Sequence, residues 1–250
     1  MTTPEDHELA RRLAREAGER LLELRARGGE PKELRDAGDR QSHLFLLDQL
    51  AQARPGDAVL SEEGEDQAAR LQAERVWIID PLDGTREFGE PPRVDWAVHV
   101  ALWERGGLTA GAVALPAQDL VLSTADPVAP PAREAGAPLR LLVSRSRPPE
   151  FVQRLAERVD AVLVPLGSAG AKAGAVIAGD ADAYVHSGGQ YEWDSAAPVA
   201  VARAAGLHAS RIDGSELLYN QASPLLPDLL IATSDVAPQL LAAIKEVQAS

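Results

Sequence analysis

Asp80 and Asp83 stand in the segment Asp80-Pro81-Leu82-Asp83-Gly84-Thr85, directly after the apolar run Val76-Trp77-Ile78-Ile79. Two carboxylates at the end of a buried strand are costly unless a cation compensates them. Pro81 stiffens the exit and Gly84 permits a tight turn, so both side chains can converge on one point. Hard oxygen donors, with no cysteine in the chain and no adjacent histidine, suit Mg²⁺ or a similar cation and not zinc. Thr85 sits where a following helical turn can aim backbone N–H groups at a phosphate. The same letters also fit a strand-to-turn junction with two solvated aspartates. Two further acidic segments share this ambiguity. Ser61-Glu62-Glu63-Gly64 ends a short apolar stretch, where paired glutamates equally suit a solvated edge. In Trp193-Asp194-Ser195-Ala196-Ala197-Pro198, Asp194 precedes an Ala-rich helix and has the common alternative role of N-cap.

The elements that must carry these residues follow from period and punctuation. Leu9, Leu13, Ala17, Leu21 and Leu24 recur at helical spacing between a Thr3-Pro4 start and a Gly28-Gly29 stop. A second helix is expected from near Asp39 to Ala53. Short strands are expected at 58–61, 75–80, 96–103, 108–115 and 120–124, the later ones forming a meander. The stretch Asp126 to Pro138 is rich in Pro, Ala and Gly without period and marks a lobe boundary. Beyond it, strands at 139–144, 161–166 and 182–186 alternate with helices at 148–159, 169–179 and 194–205. Strands near 208–213 and 229–233 and a helix at 236–248 close the chain. That rhythm predicts helices packed on a mixed sheet. His99, inside an apolar strand, reads as a packed core histidine. His186 sits at a strand end facing the acidic segments, and Asp180 and Asp182 read as turn residues.

Composition narrows the partners. Thirty-eight acidic residues against 25 basic ones leave a net charge of −13, which argues against nucleic acid polymers and anionic membrane surfaces. No run of about 18 apolar residues is present to span a bilayer, and the amino-terminal letters lack a signal-peptide pattern. A soluble, cytoplasmic protein is the expectation. With 250 residues, the chain is long enough for one large domain or two lobes.

Taken together in order and spacing, Glu62-Glu63, Asp80-Pro-x-Asp-Gly-Thr85 and Trp193-Asp194-x-Ala-Ala resemble the inositol monophosphatase superfamily of Mg²⁺-dependent, lithium-sensitive phosphatases. Ser61 before the glutamates, and the strings around Leu34–Gln41, Trp77–Phe88, Gly167–Lys172, Gly189–Asp194 and Tyr219–Gln221, are similar to its actinobacterial CysQ-type branch. The resemblance implies a layered αβαβα sandwich, mixing α+β and α/β architecture, of the inositol monophosphatase and fructose-1,6-bisphosphatase type. An α+β lobe would span 1–137 and an α/β lobe 138–250. Glu62, Asp80, Asp83 and the Leu82 carbonyl become metal ligands, joined by Asp194 from the second lobe. Glu63 stands behind them, and Asp39 reaches a further, weaker metal through water. Two or three Mg²⁺ ions are implied per site.

The implied reaction is hydrolysis of the 3'-phosphate of 3'-phosphoadenosine 5'-phosphate to AMP and phosphate by metal-activated water. Phosphate monoester hydrolysis needs its barrier lowered by roughly 20 kcal/mol, whereas one general base supplies only about 10²–10⁴-fold. By the resemblance Glu62, Asp83, Thr85 and Asp39 do the catalytic work, and Gly84, Thr85, Arg145, Ser168, Lys172 and Asp194 hold substrate. Lys172 and Arg145 discriminate, because a second phosphate needs cations beyond the metals. An inositol-1-monophosphatase or a broad sugar phosphatase acting on fructose 1,6-bisphosphate is the alternative within the superfamily. A catalytically silent cation or nucleotide sensor is the alternative of another class, and Thr85 speaks against it. Dimers are frequent among such proteins, so a homodimer is the assembly the resemblance raises.

Overall fold

The computed structural model describes residues 1–134, 136–146 and 148–249; Ala135 of the Pro-rich stretch, Arg147 and Ser250 lie outside them. The chain runs α1 (Pro4–Ala26), α2 (Pro31–Ala53), β1 (Ala58–Ser61), a 3₁₀ turn (Ala68–Gln72), β2 (Arg75–Asp83), the short α3 (Thr85–Phe88), β3 (Ala97–Glu104), β4 (Gly107–Leu115) and β5 (Leu120–Ser123). It continues through β6 (Leu139–Ser144), α4 (Glu150–Val159), β7 (Ala161–Leu166), α5 (Ala169–Ala178), β8 (Ala183–Tyr191), α6 (Glu192–Ala204), β9 (His208–Ser210), β10 (Leu225–Ala232) and α7 (Ala237–Ala249).

The strands form two sheets, ordered β1-β2-β3-β4-β5 and β7-β6-β8-β10-β9. In the first, β1 lies parallel on β2 and the remainder is the expected antiparallel meander. In the second, β6 runs parallel to both β7 and β8, while β10 runs antiparallel to β8 and β9. Side chains alternate between faces along a strand, and here both faces are covered. On β2, Trp77 and Ile79 join the core under α1 and α2, whereas Val76 and Ile78 join the central core. On β10, Leu229 and Ile231 point to the central core, and Leu230 and Ala232 to a third core beneath α4 and α7. Helices α5 and α6 fill the middle layer between the sheets. The result is the layered αβαβα sandwich. Burial on both faces is why β2 reads as an unbroken apolar run.

Two helix boundaries differ from expectation. Helix α2 begins at Pro31, eight residues before Asp39, with Pro at its first turn. Gly38 therefore lies inside the helix. A Cβ there would sit 2.8 Å from the Phe88 ring and 2.9 Å from Leu82, so its lack of side chain admits close packing instead of ending the helix. Asp39 is consequently an interior helical residue, not a cap. Likewise β8 extends to Tyr191 and α6 begins at Glu192, which makes Asp194 the third helical residue and not the N-cap.

Candidate active site

Residues three apart on a regular strand face opposite ways. The pairing of β2 with β3 shifts register between Asp80 and Asp83, around Pro81, and this irregularity lets both aspartates turn toward one point. The Leu82 amide donates to Asp80 Oδ1 at 3.0 Å, and Ser42 of α2 donates its hydroxyl to the Pro81 carbonyl at 2.7 Å. Gly84, at φ +84°, then swings the chain into α3. Thr85 Oγ1 lies 3.0 Å from the Leu82 carbonyl and 3.2 Å from Asp39 Oδ1, so its single proton can serve either acceptor.

Asp194 reaches the same place from the middle layer. It accepts the Tyr191 amide at 2.6 Å, a bond from the third helical residue back to the cap. One carboxylate oxygen each from Asp80, Asp83 and Asp194 lies within 4.8 Å of the others. Glu62, just past the end of β1, lies close enough for the charges of Asp194 and Asp83 to raise it, but outside the trio itself. Asp83 Oδ2 takes the Gly170 amide at 2.7 Å and stands 3.1 Å from His99 Nε2. Gly170 has no alternative, since a Cβ would come within 2.4 Å of that nitrogen.

These carboxyls lack enough cations of their own. Burial, then the charge of Glu62, pushes Asp80 well above the usual carboxylate range. Burial and Asp194 raise Glu62 to about 7, and burial and Asp83 raise Asp194 to about 6. Asp39 rises to about 7 through burial and Glu63. Burial also works against Asp83, but the His99 imidazole, the Gly170 amide and the Lys172 charge together outweigh it and leave this carboxyl below its ordinary value. The set is oxygen-rich and short of positive charge, with Asp80 and Asp83 buried, Asp39 and Asp194 half-buried and Glu62 at the open rim, which fits a hard divalent cation such as Mg²⁺ reached from solvent.

The other expected substrate residues are tied to protein partners. Ser168 caps α5, its hydroxyl accepting from the Ala171 amide at 2.9 Å. Lys172 is only 4% exposed. Its ammonium bonds the Gly167 carbonyl and, at 2.8 Å, that of Ser168, and it lies 4.9 Å over the Tyr184 ring. Burial lowers it to about 8. Arg145 bonds Glu87 at 2.8 Å and Glu90 at 3.0 Å while keeping 30% of its side chain exposed. His186 turns Nε2 to the Gly188 carbonyl at 2.7 Å.

His99 does more than the sequence suggests. It is buried in the core, yet its Nδ1 stands 3.1 Å from the Trp193 carbonyl while Nε2 meets Asp83. One imidazole thus spans from the first sheet to the helix that carries Asp194. The available signal was its place opposite Asp80 across the β2–β3 pair, on the face shared with Ala97 and Ala101.

Residues 5–249 match the model of the inositol monophosphatase family. The chain belongs to that family. Its members are metal-dependent, in keeping with the buried acidic cluster. The chain is 54% identical over 255 residues to the 3'-phosphoadenosine 5'-phosphate phosphatase of Mycobacterium leprae, covering 97% of this chain and 94% of that one. It is 31% identical over 230 residues to the 3'(2'),5'-bisphosphate nucleotidase CysQ of Escherichia coli K12, covering 83% and 91%. Its fold superimposes on inositol monophosphatase II of Staphylococcus aureus with a TM-score of 0.82 at 20% identity, over 96% and 95% of the two chains. Among the described residues, no helix is long and apolar enough to cross a membrane.

Proposed function

We propose that the chain is a Mg²⁺-dependent phosphatase that cleaves the 3'-phosphate of 3'-phosphoadenosine 5'-phosphate, releasing AMP and phosphate. The observation that carries this reading is the trio of buried Asp80 and Asp83 and half-buried Asp194, whose ligand oxygens lie within 4.8 Å of one another beside the Thr85–Asp39 pair. The name and 54% identity of the mycobacterial relative support the substrate. Glu62, Asp80, Asp83, Asp194 and the Leu82 carbonyl are the residues that would hold two or three Mg²⁺ ions. Such ions, when bound, supply Lewis-acid stabilisation of phosphoryl oxygens and make water more acidic.

The chain's own groups do the rest. Thr85 orients the attacking water, with Glu62 taking its proton and Asp39 holding the Thr85 hydroxyl. The Gly84 and Thr85 amides are the backbone donors for the phosphoryl oxygens. Arg145 is the exposed cation for the second phosphate and exchanges Glu87 and Glu90 for it. Ser168 and Lys172 complete the substrate-binding set, Lys172 through its charge. The reading carries with it the two-lobe division at 137/138, a small nucleotide ligand, a cytoplasmic setting and a homodimer, the last checked by light scattering on the same preparation.

The test is phosphate release from 3'-phosphoadenosine 5'-phosphate, inositol 1-phosphate and fructose 1,6-bisphosphate in Mg²⁺, with and without Li⁺. The nucleotide should be the preferred substrate, with turnover inhibited by Li⁺. Preference for either sugar ester would transfer the site to the alternative within the family. No release from any of the three would leave a sensor.

A further inference from the structure

Glu62 and Asp194 are the two expected direct metal ligands that do not ride on β2, and they arrive from opposite halves of the chain. A buried network joins the segments that carry them. Downstream of Glu62, Arg70 in the 3₁₀ turn is 2% exposed. Its guanidinium takes Asp66 in a fork, with Nε to Oδ1 at 2.7 Å and Nη2 to Oδ2 at 3.0 Å. The same group reaches across the molecule, with Nη1 to Asn220 Oδ1 at 2.7 Å and Nη2 to the Gln221 carbonyl at 2.9 Å. The amides of Asn220 and Gln221 then donate to the two oxygens of Glu192, at 2.6 and 2.8 Å. Glu192 is 1% exposed and stands two residues before Asp194 in the first turn of α6.

The geometry of these contacts is specific. A guanidinium fork fixes direction as well as distance. Asn220 adopts φ +58°, a left-handed conformation that asparagine tolerates better than most residues. The network is not part of the acid cluster. It nevertheless joins the flanks of two carboxylates that repel each other when no cation lies between them. Asp194 is the first charge that raises Glu62, so the two face each other across the cleft, and a rigid support is what can hold such a mutually repelling pair in place.

We propose that Arg70, Asn220, Gln221 and Glu192 form a clasp that positions Asp194 against Glu62 and so sets the affinity of the cleft for divalent cations. These are positioning residues, acting through the ligands they place. The inference rests on the metal-site reading above.

The test is Mg²⁺ titration calorimetry on the full chain for the wild type and for Arg70→Lys, Glu192→Gln and Asn220→Gly. Asn220→Gly removes one clasp acceptor while preserving the left-handed backbone, so it yields a folded variant if the others do not. Asp182→Asn is the control. It disrupts a comparably buried ionic cluster in the second sheet, where Asp182 accepts the Arg140 amide at 2.7 Å and faces Arg133 at 3.4 Å. The clasp variants should raise the Mg²⁺ dissociation constant by roughly tenfold, in the range seen when outer partners of metal ligands are altered. The control should lower the melting temperature and leave that constant unchanged. An unchanged constant in folded Asn220→Gly and Arg70→Lys, or an equal shift in the control, overturns the clasp. Absence of Mg²⁺ binding by the wild type overturns the metal site as well, and so separates the two failures.

Discussion

At the start of β2, Arg75 sits among Asp6, Asp57 and Glu104; at its end, Asp80 and Asp83 face Asp194 and Glu62. Asp6 is 2% exposed and Asp80 1%, so neither carboxyl is open to solvent, although Asp80 lies deeper. Their proton affinities nevertheless move in opposite directions. Burial pushes Asp6 up, but the Thr3 amide and the Arg54 and Arg75 guanidiniums, at 2.8 and 2.9 Å, hold it down at about 2. Asp80 has one backbone donor and is surrounded by other acids, so burial and repulsion both raise it. Depth adds to the difference, but partner sign is what turns one carboxylate into a tie for the fold and leaves the other waiting for a cation.

The largest effects should come from the cation-seeking end. Asp83→Asn should reduce turnover by at least about 10³-fold, as expected when several kcal/mol of metal-borne stabilisation is lost. Its circular dichroism should remain that of the wild type. Asp80→Asn sharpens the contrast further. It removes one of several mutually repelling buried charges and keeps an acceptor for the Leu82 amide, so in EDTA it should melt above the wild type. In saturating Mg²⁺ the order should reverse, because the wild type alone gains full binding energy. Near-normal activity in Asp83→Asn, or an Asp80→Asn protein that melts lower in EDTA, would erase the distinction between the two ends.

The same contrast shows what a linear sequence discloses. The Asp80–Thr85 segment was legible because its chemistry is local: an apolar run, a proline, a glycine and two acids within a few letters. The five layers were implied by the family resemblance and not by these runs, which by themselves place the strands close to where they are observed. The start of α2 was not legible: the helix was expected near Asp39, and only the packing of Leu82 and Phe88 against Gly38 shows why a glycine belongs inside it. His99 looked like filler because its partners, Asp83 and the Trp193 carbonyl, lie on separate elements. Nothing in the letters around Arg70 marks it. Its side chain meets Asn220, 150 residues away, and no periodicity within one element can signal such a contact. The strings Gly189–Asp194 and Tyr219–Gln221 were noticed only as a likeness, and their shared role emerged once Glu192 was seen to bind both amides.

A smaller effect is expected at the paired end. Asp6→Asn keeps the shape of the side chain but leaves Arg54 and Arg75 without their shared charge. It should cost about 2 kcal/mol in stability, the worth of a carboxyl held nearly two pH units below its unfolded value. Urea unfolding would show this as a lower midpoint at constant slope. Phosphatase turnover in saturating Mg²⁺ should not change, since Asp6 touches none of the cleft residues. A loss of activity matching that of Asp83→Asn would mean that the two ends of β2 are not independent.

The smallest effect near neutrality is also the one with the clearest sign. Asp6 has a folded value of about 2 and an unfolded value of about 3.9, so the unfolded chain binds its proton first as pH falls. Its stabilisation is complete above about pH 4 and is lost progressively as pH drops through about 2. At pH 7 and pH 5 the wild type and Asp6→Asn should therefore differ by a constant amount. Between pH 4 and pH 2 the two unfolding free energies should converge, the wild type losing stability faster by up to one proton's worth of slope. Measuring both in EDTA keeps metal binding out of the comparison, and the cleft carboxylates contribute equally to the two curves. A gap that stays constant down to pH 2 would show that Asp6 is not held in its charged form by Arg54 and Arg75, and the contrast between the two ends of β2 would then rest on the cleft alone.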